Sequence, residues 1–67
     1  MNVRQLTEEG ITLYERRITR LQNALDQLDP QDDDQAVRAL LVARAYCIGA
    51  AEALKFVLTT AAEEGNA

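Results

Sequence analysis

Pro30 divides the chain into two stretches, each repeating apolar residues at alternating spacings of three and four. Upstream these are Ile11, Tyr14, Ile18, Leu21, Leu25 and Leu28. Downstream they are Ala36, Leu40, Ala43, Cys47, Ala50, Leu54, Val57 and Ala61. An α-helix turns through about 100° per residue, so this spacing holds each set on one narrow stripe, the seam of a coiled coil. A half-buried strand would need apolar residues at every second position, and Val, Ile and Thr are scattered without that period. Two seams joined by a short connection predict two antiparallel helices with their stripes together. The expected fold is all-α: a coiled-coil-like two-helix hairpin forming a single domain over residues 1–67.

Local signals set the boundaries. Proline disfavours helical geometry in the residue before it and lacks the amide needed to continue a helix. The aspartates that follow suit the positive end of a second helix. The reading is a helix over about 7–28, an acidic turn over 29–33 and a helix over about 34–61. Thr7 is the expected N-cap of the first helix, with Leu6 and Ile11 as a hydrophobic staple. Gly10 in the first turn leaves a start near Asn2 as the alternative. Leu13 and Ala24 broaden the first seam on one side. Gly65 and Asn66 are expected to end the second helix, and Glu63 and Glu64, at the negative end of its dipole, to loosen the last turn.

The second helix carries more apolar surface than one partner helix can cover. Val42, Tyr46, Gly49, Ala53 and Phe56 form a row on one side of its seam. Val37, Leu41, Ile48, Ala51 and Leu58 form another, interrupted by Arg44 and Lys55. Ala45, Gly49 and Ala53 recur every fourth residue and would let a neighbouring helix approach closely. A 67-residue chain has a stability margin of only ~3–5 kcal/mol unless a disulfide, a metal or self-association adds to it. One cysteine and no histidine leave neither an intrachain disulfide nor a zinc site. Self-association into a homo-oligomeric helical bundle is therefore expected, through Leu41, Ala45, Ile48, Gly49, Ala53 and Phe56.

Candidate chemistry is sparse. Arg16, Arg17 and Arg20 concentrate positive charge, and no Asp or Glu lies three or four residues from any of them. Guanidinium groups so placed can bind carboxylates or phosphates. They are the candidate contact for a partner protein or, alternatively, a phosphorylated small molecule such as a nucleotide. Asp32, Asp33 and Asp34 complete the candidate contact surface. Their spacing is not that of a calcium-binding loop, and the glycine such a loop requires is absent. Cys47 lies on a seam with no histidine to activate it, which fits a small buried hydrophobe better than a nucleophile. No catalytic set, metal site or cofactor motif is present, and an enzyme is not expected. The net charge of −4 and pI near 4.5 argue against general nucleic-acid binding. No apolar run approaches the ~18 residues that a membrane span needs. Glu8, Glu9, Glu15 and four arginines in the first twenty residues do not fit a signal peptide. The expected location is cytoplasmic.

The segment "LDPQDDDQAVRALLVARAYCIGAAEALKFVL" (28–58), following "LYERRITRLQNAL" (13–25), resembles small phage-encoded helical-hairpin proteins. The shared features are an arginine-bearing first seam, an acidic turn, and a second helix with a mid-helix glycine and a closing Ala53-Leu54-Lys55-Phe56-Val57-Leu58 pattern. Some proteins of this kind are particle components. Others inhibit host defence, including oligomeric sponges for cyclic nucleotides. The resemblance implies a non-enzymatic structural or interaction role, in the host cytoplasm or the virus particle.

Overall fold

The computed structural model describes the backbone of residues 2–66 and the side chains of residues 2–60. Two helices, α1 (Val3–Gln27) and α2 (Asp34–Asn66), pack against each other. Glu15 reaches Lys55, Gln22 reaches Arg44, and Gly10 lies against Leu54. Going along α1 from Gly10 and Glu15 to Gln22, the partner on α2 moves back from Leu54 and Lys55 to Arg44, so the hairpin is antiparallel.

Of the two starts open in the sequence, the Thr7 cap and a start near Asn2, α1 takes the second. Asn2 is the N-cap: its side-chain oxygen accepts from the Gln5 amide at 2.7 Å, and its carbonyl accepts from Leu6. Thr7 lies one turn inside the helix. It is 6% exposed, and its hydroxyl donates to the Val3 carbonyl at 2.7 Å. That bond satisfies the only polar group a buried threonine brings, so Thr7 extends the seam instead of capping it. With Asn2 as the cap, Leu6 and Ile11 do not hold the N′ and N4 positions of a staple, and Leu6 is 54% exposed. Thr12, Thr19 and Thr59 make the same bond to the carbonyl four residues back.

Gly10 has a packing reason. A Cβ built there would sit 3.0 Å from Cδ1 of Leu54. The missing side chain lets Leu54 close over the backbone of α1, beside buried Ile11. The rest of the expected α1 seam, from Tyr14 to Leu28, is half-buried with Ala24, whereas Leu13 points away and is exposed.

On α2 the inner seam is rotated from the expected one. The residues turned towards α1 are Val37, Leu40, Arg44, Cys47, Ala51, Leu54 and Leu58, flanked by Ala43 and Ala50. Ala36 and Val57, both placed on the seam by the sequence reading, are exposed. Arg44 causes the difference. Its charge argues for solvent, but its long aliphatic stem can cover the seam while the head stays wet. The head donates from Nη1 to Gln22 Oε1 at 2.5 Å. With Arg44 admitted, the row through Ala51, only 3% exposed, becomes continuous. α2 runs on to Asn66, past the expected end near 61 and through Gly65. The side chain of Ala61 and the expected effects of Glu63 and Glu64 lie outside the described residues.

The hairpin is a rod of 54 × 16 × 13 Å with a radius of gyration of 15.6 Å. A compact chain of this length would have a radius near ~11 Å. The accessible surface is 5211 Å², whereas a compact 7.4 kDa chain would expose about 4,200 Å². The chain thus leaves roughly a thousand Å² uncovered that a compact fold would hide.

Gly10→Leu is expected to lower the hairpin's stability by about 1–3 kcal/mol, because the larger side chain must displace Leu54. Thermal unfolding followed by circular dichroism measures this, and an unchanged midpoint would refute the close approach.

Candidate functional site

Two surfaces concern function: the polar features of α1 and the turn, and the outer side of α2. Arg16, Arg17 and Arg20 are all exposed on α1. The Arg17 guanidinium carbon lies 5.7 Å from the centroid of the Tyr14 ring, within range of a cation–π contact. Among the described residues the ion pairs are Arg4–Glu8, Arg38–Asp34 and Lys55–Glu15, so none of the three arginines is in one. Glu52 on α2 is not paired with any of them among the described residues. An open trough lies along α1 beside Arg16, lined by Gln5, Glu8, Glu9, Thr12 and Leu13. Its walls come from one helix, so it does not enclose a ligand.

The aspartates serve the turn. Asp29 Oδ1 accepts from the Gln31 amide at 2.8 Å, and Asp33 Oδ2 accepts from the Asp29 amide at 3.1 Å. The Asp33 amide donates to the Asp29 carbonyl at 2.8 Å, and the Asp33 carbonyl opens α2 by accepting from Val37. Asp29 and Asp33 therefore latch the connection from both sides. Asp34 stands in the first turn of α2, where a carboxylate suits the helix dipole, and pairs with Arg38 at 3.4 Å. Asp32 is exposed. Of the three candidate aspartates, Asp33 is a structural residue and Asp32 and Asp34 face solvent. The arginines sit along α1, roughly 12 Å or more in axial rise from Leu28, so they and the turn form separate features. Among the described residues no group of three His, Cys, Asp or Glu side chains is placed to hold a metal ion.

The outer side of α2 is different in kind. Val42, Tyr46 and Phe56 are 71%, 71% and 73% exposed, and Gly49 and Ala53 lie between them. The spacings are four, three, four and three, a second heptad stripe about 160–200° round the helix from the inner seam. A Cβ added at Gly49 would meet nothing within 4 Å, so the hairpin itself gives no reason for a glycine there. Outside this stripe Leu41, Ala45, Ile48 and Val57 are also exposed. All six expected self-association residues are therefore exposed on the hairpin. That set joined the small residues Ala45, Gly49 and Ala53 to Leu41, Ile48 and Phe56 and left out Val42 and Tyr46, two large exposed members of the stripe. The heptad spacing of the row carried that signal. Cys47 is buried in the inner seam, away from solvent reagents. No described helix is long and apolar enough to cross a membrane.

Asp33→Ala is expected to destabilise the hairpin by about 1 kcal/mol, the usual net loss for one hydrogen bond, here the one its carboxylate accepts from the Asp29 amide. Asp32→Ala should change it by less than ~0.5 kcal/mol. Equal melting temperatures for the two variants would contradict the latch.

No protein-family model matches this chain, no curated protein matches its sequence, and no solved structure matches its fold.

Proposed function

We propose that this chain is a non-enzymatic interaction protein that binds further copies of itself through the outer face of α2. Its polar surface, with Arg16, Arg17, Arg20, Asp32 and Asp34, is left to contact another protein. The observation that supports this is the exposed apolar stripe of Val42, Tyr46 and Phe56, with no third helix among the described residues to cover it. Removing a large apolar side chain from water contributes about 1.5–3 kcal/mol, and several such residues act together here. That is comparable with the whole stability margin of so small a fold. The roles implied by the resemblance to phage hairpins, a particle component or an inhibitor of a host protein, are both forms of this proposal.

A sponge for phosphorylated small molecules is the second reading, favoured by the three arginines without a carboxylate partner. It needs neighbouring copies to complete an enclosure, because the guanidinium groups stand along an open helix. The interaction reading expects no heat when the protein is titrated with a panel of nucleotides in a calorimeter. Micromolar binding would favour the sponge.

In sedimentation velocity, Gly49→Leu is expected to shift the protein towards smaller species, while Arg20→Ala leaves the distribution unchanged. An unaltered distribution for the leucine variant would remove the outer face of α2 from the interface.

A further inference from the structure

We propose that two copies pair α2 against α2 in antiparallel orientation, with Tyr46 of each copy seated over the partner's Gly49. This deepens the self-association reading and rests on it. The two-fold axis passes between Cys47 and Ile48, and the α1 helices lie on the outside of the pair.

Area admits a second copy as the occupant. The hairpin exposes roughly a thousand Å² more than a compact chain of its mass, and a stable dimer buries about 800 Å² from each partner. Charge agrees. From Ala39 to Phe56 the exposed charged residues of α2 are Glu52 and Lys55. Lys55 is already paired with Glu15. The stripe itself, through Val42, Tyr46, Gly49, Ala53 and Phe56, carries no charge.

The order of sizes selects the pairing. Antiparallel heptads bring first-type positions of one helix opposite second-type positions of the other, and well-packed layers set a large side chain against a small one. About this axis, Tyr46 faces the partner's Gly49, Val42 faces the partner's Ala53, and Phe56 faces the partner's Ala39. Each large residue thus meets a small one. Ala39, Gly49 and Ala53 are all exposed on the hairpin, and the open space at Gly49 becomes the seat for an aromatic ring. A parallel pair instead sets Tyr46 on Tyr46 and Phe56 on Phe56, with Gly49 on Gly49 and Ala53 on Ala53 between them. Bulky layers at 46 and 56 would then hold the helices apart where the layers at 49 and 53 need them close.

The mass of the wild-type protein and a distance measurement test this together. Asp32→Cys, in a Cys47→Ala background, places a nitroxide on the turn at one end of the rod. Antiparallel pairing expects a label separation of roughly 45–50 Å from the helical rise, and parallel pairing expects less than roughly 25 Å. A dimer with the long separation supports the proposal. A dimer with the short separation overturns the pairing but leaves self-association standing. A wild-type mass of one chain at every concentration removes both, and a mass above two chains overturns the closed two-fold pair. Should the labelled protein not fold, the contact between positions 46 and 49 is read separately. Gly49→Leu should weaken the dimer roughly a hundredfold, and Tyr46→Ala added to it should recover most of that loss, because the new leucine then faces an alanine. A double variant weaker than Gly49→Leu alone overturns the register.

Discussion

The structure depends on one imbalance: α2 is apolar on two opposite sides, and the chain supplies one helix to cover them. α1 has a single seam, and most of its outer surface is Glu, Arg, Gln and Thr. α2 has an inner seam that includes Cys47 and Ala51 and an outer stripe that includes Tyr46 and Phe56. One side of α2 is therefore settled by folding, and the other side remains in water on an isolated hairpin. The elongated shape follows, because two helices laid side by side form a rod and not a globule.

The glycines mark the two sides. Gly10 lies where Leu54 closes onto α1, and its missing side chain is used within the hairpin. Gly49 lies on the outer side of α2, faces open space, and gains no contact from its own chain. A mid-helix glycine costs about 1 kcal/mol relative to alanine. At position 10 that loss is offset by a contact in view. At position 49 the hairpin offers no such contact, which is why this residue carries so much of the proposal.

The architecture was legible in the sequence wherever periodicity and turn chemistry agreed. The α1 seam from Ile11 to Leu28 and the break at Pro30 were readable because every local preference pointed one way. The errors arose where a polar residue does apolar work. Thr7 looks like a cap, yet its hydroxyl bonds to its own helix and the rest of it packs. Arg44 looks like an interruption, yet it is half-buried and its head reaches Gln22. Admitting it moves the inner face of α2 from the row of Ala36 and Val57 to the row of Val37, Ala51 and Leu58. At the candidate site, the arginines and aspartates were easy to locate, but their division of labour was not. Only the hydrogen bonds separate Asp33, which holds the turn, from Asp32, which faces solvent.

The position of the best-buried residues bears on how the hairpin closes. Once the Asp29–Asp33 latch forms, each further layer of contact between the helices encloses a longer loop, and the entropy of closure rises slowly with its length. Thr7 and Ile11, two of the most deeply buried residues, lie towards the end of the rod farthest from the latch. Their burial is gained only after nearly the whole chain has been ordered. Layers near the turn are easy to form but only half-buried, so a partly zipped hairpin has little to hold it. The transition between open and closed chains should therefore be all-or-none, in spite of a topology that would allow it to proceed one layer at a time.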